Sequence, residues 1–458
     1  MNLSSLSNKI TPNKTFIILS FIFGVLFSII IPPFQAPDEP AHFYRAYQLS
    51  EFKIVGQKVE NYAGGYIPKQ IIEMTETLTG NIPGHKENKA SIDKIGKYIK
   101  IKPNFEEIKL ADFKNTVLYP PTVYLPQSLG ITIAKVFKLS PLWMVYLGRI
   151  LNLLTFILIV SSAIRIIPIC KWGMVLLGLM PMTLAQASSL SLDATCFSMS
   201  FLLIALILNY ALSEDKKITV KQVFIMSLVS FFLGLCKWAY IFIPFLFLII
   251  PPEKFSSKKK YFISFFTVIF STVIGILVWS LIIRNLYLPI LDYLNPHEQL
   301  LYMLVHPQYF IKGFLGSFTN FFTFHSFIGN LGWVDNSLPT GIVIAYFGVL
   351  AACGLIDSNE KISINFPQRL VAAIVLFLSV LFVDIMMYLF WNRVGATFIE
   401  GLQGRYFIPV ALLLFLFFYN KRFCKLNIMN KGGKIFLVLF LIFVLLFTLG
   451  MIVNRYYR

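Results

Sequence analysis

The sequence predicts an all-α polytopic membrane protein with about 11 transmembrane helices and a long first extracytoplasmic loop. Hydrophobic residues make up 57% of the 458 residues, and the mean hydropathy is +0.72. Charged residues make up only 14%, whereas a soluble domain carries about 25%. Apolar runs of roughly 18 residues or more recur along the chain, and each is long enough to cross a bilayer as a helix.

The first span is predicted from Thr15 to Ile31, after a short segment that contains Lys9 and Lys14. The sequence Phe34-Gln35-Ala36 lacks the small residue expected three positions before a signal-peptide cleavage site, so we interpret this span as a retained anchor. Ten more spans are predicted near residues 141–167, 172–190, 194–212, 221–236, 238–252, 261–283, 340–356, 369–391, 406–420 and 435–453.

Basic residues in the short loops predict the orientation of the chain. The loops SEDKKITVK, PPEKFSSKKK and NKRFCKLNIMNKGGK carry three, four and five Lys or Arg, whereas SSLSLDAT on the other side carries none. The positive-inside rule therefore places the N-terminus in the cytoplasm. The net charge of +18 fits cytoplasmic loops that meet anionic lipid, and no nucleic-acid-binding module is recognisable.

This topology divides the chain into four parts. Residues 1–14 form a cytoplasmic N-terminus, residues 15–33 the first transmembrane helix, residues 34–140 an extracytoplasmic loop with interfacial helices, and residues 141–458 a multi-span domain. The five cysteines form no CxxC pair and indicate neither a disulfide framework nor a metal site.

Two segments of the long loop are predicted to be helices that lie along the outer interface. PDEPAHFYRAYQLSEF begins with proline and acidic residues, which suit a helix start. Asp38, His42 and Arg45 follow at i, i+4 and i+7 and would line one face of that helix. The second segment runs from Tyr119 to Trp143 and returns the chain to the membrane.

Four motifs carry a resemblance to a known family: PDEPAHFYRAYQLS, YPPTVYLPQSLG, LGRILNLL and QGRYFIPV. Together they resemble domain-of-unknown-function family 2142 of bacterial membrane proteins. That family is similar in layout to the GT-C glycosyltransferases, multi-span enzymes that use polyprenyl-phosphate sugars and carry an acidic motif in the first outer loop. The resemblance implies a GT-C-like fold and a place in the bacterial inner or plasma membrane.

The resemblance also implies where the functional residues lie. The acidic motif would fall on Asp38 and Glu39, and a Pro-Pro-then-Arg layout would fall on Pro120, Pro121 and Arg149. The acids here are adjacent instead of spaced as Asp-x-Asp. The resemblance therefore does not specify a cofactor, and a requirement for Mg²⁺ or Mn²⁺ stays open.

Glycosyl transfer needs a carboxylate to accept the proton of the acceptor hydroxyl and cations to stabilise the departing phosphate. Asp38 is the candidate base, although an Asp at a helix start also serves as an N-cap. Glu39 shares that role, positions the acceptor or helps bind a metal. His42 orients Asp38 or contacts phosphate, and Arg45 binds phosphate, unless both are ordinary interfacial residues.

The other candidates lie in or at the ends of predicted spans, and each has a structural alternative such as helix capping or snorkelling. The carboxylates are Asp193, at the outer end of a hairpin, and Asp384, inside a span, where a charge is costly and marks a functional hypothesis. Asp384 alternatively pairs with Arg284 or Arg149, or stays protonated. The substrate- and phosphate-binding candidates are Arg149, Lys237, Arg393, Arg405 and Tyr406, with Arg405 the foremost.

The expected activity is transfer of a sugar from a polyprenyl-phosphate donor to a cell-surface glycan, such as an O-antigen or teichoic acid, on the outer face. The expected partners are the lipid-linked sugar, the acceptor glycan and the bilayer, without nucleic acid. Three alternatives stay open: a flippase or transporter of lipid-linked sugars, a polysaccharide polymerase or ligase, and a non-catalytic partner in an envelope assembly. No inverted repeat is recognisable, which disfavours the transporter.

Overall fold

The computed structural model describes residues 10–214, 217–357, 359–426 and 428–458, and most of them are helical. The α-helices, in chain order, are α1 (Pro12–Ile30), α2 (Glu39–Ser50), α3 (Lys69–Thr79), α4 (Ile92–Lys100), α5 (Leu125–Val136), α6 (Pro141–Ile166), α7 (Lys171–Gly178), α8 (Pro181–Ala187), α9 (Asp193–Leu212), α10 (Val220–Cys236), α11 (Lys258–Ile283), α12 (Pro296–Val305), α13 (Pro307–Ser317), α14 (Phe321–Ile328), α15 (Thr340–Ile356), α16 (Phe366–Trp391), α17 (Ile408–Ala411), α18 (Leu414–Phe418) and α19 (Lys434–Tyr457).

Six of these helices are long and apolar enough to cross a membrane: α1, α6, α9, α11, α16 and α19. Three shorter apolar helical segments accompany them, at Val220–Cys236, Trp238–Ile249 and Thr340–Ile356. A predominantly α-helical membrane protein is therefore confirmed. The count of 11 spans stays a prediction, because the remaining predicted segments are not continuous helices of spanning length.

Proline interrupts three of the predicted spans. Residues 172–190 form α7 and α8, which are separated just before Pro181. Residues 238–252 form 3-10 turns that include Pro244, and residues 406–420 form a 3-10 turn, α17 with Pro409, and α18. Proline lacks the N–H that would continue the α-helical hydrogen-bond ladder, so it favours short or 3-10 segments at these places.

The prediction of an all-α fold misses two small sheets. β1 (Gln57–Val59), β2 (Tyr62–Pro68) and β3 (Ile108–Asp112) form an antiparallel sheet in the order β1-β2-β3. Gln57 pairs with Gly64, and Gly64 with Asp112. Residues 51–118, which contain this sheet, are called the outer lobe below. A second ladder joins β4 (Asn330–Leu331) to β5 (Asn336–Ser337).

Helices α10 and α11 make a close crossing that two glycines permit. A Cβ atom on Gly234 would lie 2.3 Å from the carbonyl oxygen of Thr272, and one on Gly275 would lie 2.7 Å from that of Phe231. Small residues at such crossings let helix backbones approach within membranes. The crossing lies three residues before Lys237, so it helps to set the position of that side chain.

The bundle has two chemically different ends. The end that bears the outer lobe is called the lobe end. Helix α1 ends there, and helices α6 and α9 begin there. At the opposite end, Lys254 donates to the carbonyls of Tyr210 and Ser213, and Arg369 donates to the carbonyl of Tyr419. Lys254 and Arg369 thus stabilise carbonyls at the end of the bundle opposite the outer lobe.

The outer lobe is tied to the far C-terminal helix. The Arg455 guanidinium in α19 donates to the carbonyls of Ile82, His85 and Asn88, and to the Asp335 carboxylate at 2.7 Å. The lobe therefore rests on the bundle through a buried cation, in addition to its covalent connections.

Candidate functional site

The segment between α1 and α2 is fixed to α6 by a buried ion pair. The Arg149 Nε donates to Glu39 Oε1 at 2.8 Å, and its Nη2 donates to Oε2 at 2.5 Å. Arg149 also donates to the carbonyls of Ser28, Ile31 and Pro32. Both side chains are completely buried. This bidentate geometry places the two partners rigidly.

Both carboxylate oxygens of Glu39 are fully engaged. Beyond Arg149, they accept the backbone N–H of Phe34 at 2.9 Å and of Leu190 at 3.1 Å. This arrangement favours a positioning role for Glu39 over the predicted roles in proton transfer or metal binding. Arg149 is likewise occupied by protein acceptors, which leaves it no donor for a substrate phosphate. Among the described residues, no group of three or more His, Cys, Asp or Glu side chains is placed to hold a metal ion.

Asp38 is free of these contacts although it is the neighbour of Glu39. It has a left-handed backbone with φ of 57° and precedes α2, yet its side chain makes no capping hydrogen bond. Its Oδ1 accepts from Nδ2 of Asn115 at 3.0 Å, and the residue is half-buried. The helix-cap alternative therefore lacks its defining contact. A non-glycine residue held at positive φ is a form of strain that often accompanies functional sites.

Two cations converge on Asp193 at the start of α9. Lys237 Nζ lies 2.5 Å from Oδ1, and Arg405 Nε lies 3.7 Å from Oδ2. The second distance is too long for a hydrogen bond. Arg405 is only 5% exposed, and its Nε has no hydrogen-bond partner within the part of the chain that the structure describes. A buried guanidinium with an unsatisfied donor is well suited to an anionic ligand.

Tyr406 lies beneath both cations. Lys237 Nζ is 5.2 Å and the Arg405 guanidinium carbon 5.5 Å from the centre of its ring, distances at which cation–π attraction operates. The Tyr240 hydroxyl donates to the Tyr406 carbonyl at 3.2 Å and so links the turn at Gly404–Phe407 to the one at Trp238–Tyr240.

His42 faces the same charges from α2. Burial lowers its pKa to about 4, although the carboxylates of Asp38 and Asp193 act to raise it; Arg405 and Lys237 act to lower it. His42 is therefore neutral near pH 7. Its Nδ1 is 2.7 Å from the Tyr124 hydroxyl. The charged cluster, as named below, consists of Asp38, His42, Asp193, Lys237 and Arg405.

The structure adds tyrosines that were not among the sequence candidates. Burial raises the pKa of Tyr119 to about 12, and Lys237, Asp193 and Tyr406 are among the groups that act on it. Tyr124 contacts His42 directly. Both belong to the quoted motif YPPTVYLPQSLG, so the signal was present, but nothing in the motif specifies that Tyr119 contacts Arg45, 74 residues away, or that Tyr124 contacts His42, 82 residues away.

Besides Glu39, Arg149 and Tyr406, three further predicted site residues lie outside the charged cluster. Arg45 donates to the carbonyls of Tyr119 and Ile54 at 3.0 and 2.8 Å and joins α2 to the loops around it. Asp384 is buried in α16, where its Oδ2 accepts from the Ser317 hydroxyl at 2.7 Å and not from a basic residue. Arg393 is exposed and stacks over the ring of Tyr293 at 5.3 Å.

Comparisons with known proteins identify a family but no described activity. No curated protein and no solved structure matches the chain significantly. A family profile described as "Predicted membrane protein (DUF2142)" matches residues 21–414, which include every member of the charged cluster. The chain therefore belongs to the DUF2142 family of predicted membrane proteins.

Proposed function

We propose that the protein transfers a glycosyl group from a polyprenyl-phosphate donor to a hydroxyl of a surface glycan. The observation that carries the proposal is the charged cluster itself. It combines the half-buried carboxylate of Asp38 with two cations, the half-buried Lys237 and the buried Arg405, at the lobe end of a membrane bundle. These are the groups that transfer from a lipid phosphate requires.

Asp38 would act as the general base. When the acceptor oxygen attacks the anomeric carbon, the hydroxyl proton passes to the carboxylate. Asn115 donates to one oxygen, Oδ1, and would hold the carboxylate in place while the other oxygen accepts the proton. His42 is neutral near pH 7 and lies one helical turn further along α2, where it would place an uncharged polar group near Asp38.

Arg405 and Lys237 would bind the phosphate of the donor and stabilise the charge that it gains as the bond from the anomeric carbon to oxygen breaks. Asp193 holds both cations in position before the donor arrives. Because Asp193 already positions both cations, little side-chain rearrangement is needed when charge develops. Preorganised groups of this kind commonly contribute 10²- to 10³-fold in rate each.

One observation favours a second candidate, a flippase for lipid-linked sugars. Lys237 lies between the end of α10 and a 3-10 turn, and Arg405 lies in the 3-10 turn that precedes α17. Transporters often build their binding sites from interrupted helices of this sort. The two candidates use the same ligand and differ in whether a covalent bond is broken.

The experiment is donor turnover in membranes of cells that lack the protein and are complemented with variants. The measured quantities are loss of radiolabelled polyprenyl-phosphate sugar and appearance of label in surface glycan. We expect Asp38→Asn to lower transfer by about 10²- to 10⁴-fold without lowering the amount of inserted protein. Arg405→Gln should abolish transfer, and Arg405→Lys should retain part of it because the charge remains.

Asp292→Asn is the matched control, because it makes the same chemical change at an exposed residue outside the charged cluster. Equal transfer by wild type and Asp38→Asn would contradict the proposed base. If the wild type transfers no label and donor accumulates on the inner face in the deletion strain, the flippase candidate replaces the transferase.

A further inference from the structure

A second polar site lies between the outer lobe and the bundle, apart from the charged cluster. Two cavities of about 290 Å³ and 240 Å³ share Lys89 as a lining residue. The larger is bordered by the β4–β5 ladder and the end of α19, and the smaller reaches Pro32 and Pro33 after α1. The lobe cleft, as named here, is defined by Lys86, Lys89, Lys94, Asp335, Asn336 and Arg455.

The wall of the larger cavity contains polar atoms that lack partners. Asp335 Oδ1, Asn336 Nδ2 and Arg455 Nε are all buried and have no hydrogen-bond partner among the described residues. Asn336 and Arg455 are 8% and 6% exposed. Each unsatisfied buried polar group destabilises the fold, so three of them beside one cavity indicate a place where a small movement of these side chains on binding a polar ligand would supply the missing hydrogen bonds.

The lobe cleft is strongly basic. Three lysines and one arginine border it, against the single carboxylate of Asp335, which Arg455 already pairs at 2.7 Å. Lys89 donates to the carbonyls of Asn454 and Arg455, which seats it between the two cavities. Lys86 and Lys94 are exposed at the two sides. The excess of positive charge favours an anionic ligand.

We propose that the lobe cleft binds an anionic glycan, a sugar chain whose units carry carboxylate or phosphate groups. The lysines and the donors of Arg455 and Asn336 match anionic and hydroxyl oxygens, whereas Asp335 Oδ1 accepts from a sugar hydroxyl. Two neighbouring cavities that share Lys89 as a lining residue suit a chain better than a single ion.

The position of the lobe cleft connects it to the charged cluster. Pro33 borders the smaller cavity and lies five residues before Asp38. A glycan in the cleft would therefore lie beside the segment that carries the proposed base. The inference that this glycan is the acceptor rests on the proposed function, whereas its binding does not.

Binding is tested with the purified full-length protein in nanodiscs of uncharged phosphatidylcholine, by isothermal titration calorimetry. The probes are oligogalacturonate, a phosphorylated maltooligosaccharide and the unmodified maltooligosaccharide of the same length. We expect at least one anionic probe to bind, the neutral probe to bind at least tenfold more weakly, and affinity to fall as salt rises.

The double variant Lys86→Gln/Lys94→Gln should weaken anionic binding at least tenfold. Lys102→Gln/Lys109→Gln is the matched control, because it removes the same charge from exposed positions of the outer lobe that do not border the cavities. Thermal unfolding midpoints of both variants verify that they are folded.

Three results would overturn the proposal: no binding of either anionic probe, equal binding of the neutral probe, or equal losses in the two double variants. Retention of phosphatidylglycerol that depends on Lys86 and Lys94, without glycan binding, would identify a lipid-headgroup site instead. The binding assay contains no glycosyl donor, so its outcome does not depend on whether the protein is a transferase.

Discussion

At the scale of single residues, Glu39 and Arg149 show how one contact fixes the geometry of a site. We predict that Glu39→Gln destabilises the protein by about 3–5 kcal/mol, because Arg149 would then keep a buried charge without a counter-ion. The double variant Glu39→Gln/Arg149→Met should recover part of the loss. The measurement is the thermal unfolding midpoint of purified protein in detergent.

The exposed pair of Lys69 and Glu107 is the matched control for this prediction. Its two side chains are 39% and 72% exposed, so Glu107→Gln should leave the midpoint unchanged. If Glu39→Gln behaves like Glu107→Gln, the buried pair does not fix the segment that precedes α2.

His42 gives a prediction about pH. Its pKa of about 4 lies below the ordinary 6.5 of the unfolded chain, because burial disfavours the charged imidazole. The unfolded state therefore binds more protons between these values, so stability is complete above pH 6.5 and falls as pH decreases towards 4, by about 3 kcal/mol. His42→Asn should make the thermal unfolding midpoint less dependent on pH between 4 and 6.5.

His297→Gln serves as the control, because His297 is exposed in α12 and its loss should leave the pH profile as it is in the wild type. A His42→Asn profile as steep as that of the wild type would show that other groups cause the acid sensitivity.

The sequence identified every member of the charged cluster as an individual candidate, because polar and charged residues at the ends of apolar runs are conspicuous. It could not distinguish Asp38 from Glu39, since the difference between them is that Glu39 pairs with Arg149, which lies 110 residues further along the chain. It also could not specify that Lys237 and Arg405 converge on Asp193. Such convergence depends on the tertiary arrangement of α9 and two separate turns.

At the scale of elements, the crossing of α10 and α11 controls the position of Lys237. We predict that Gly234→Val lowers stability by about 1–3 kcal/mol and also reduces turnover, because the added side chain would strike the backbone at Thr272. Gly348→Ala in α15 is the control; a Cβ there meets nothing within 4 Å. The measurements are the unfolding midpoint and donor turnover.

A Gly234→Val variant with the midpoint and turnover of the wild type would show that the two helices do not need to approach so closely.

Long, continuous apolar runs were predicted well, because hydropathy alone determines whether such a helix is stable in a membrane. Thr15–Ile31 corresponds to α1, which spans Pro12–Ile30. Segment 172–190 was predicted as one span, because the hydropathy of the segment is high overall and does not report the helix break before Pro181. The outer lobe sheet was missed, since β3 pairs with β2 across about 45 residues of polar chain.

At the scale of the whole molecule, the orientation in the membrane can be measured. In a Cys424→Ser background, we predict that Lys109→Cys reacts with a membrane-impermeant maleimide in intact cells. Lys259→Cys should react only after permeabilisation, because basic loops stay in the cytoplasm. The other four cysteines are buried and should react slowly in either condition. The reverse pattern would invert the topology and place the charged cluster on the cytoplasmic face.

The contact between Arg455 and the outer lobe also sets an order of events during synthesis. Arg455 and Ile82 are 373 residues apart, and a ribosome adds roughly 5–20 residues per second, so the lobe waits about 20–75 s for its anchor. During that interval the lobe has left the ribosome without the cation that docks it. The outer lobe is thus open to proteolysis for that interval, and the insertion of α19 completes a part of the protein that was made much earlier.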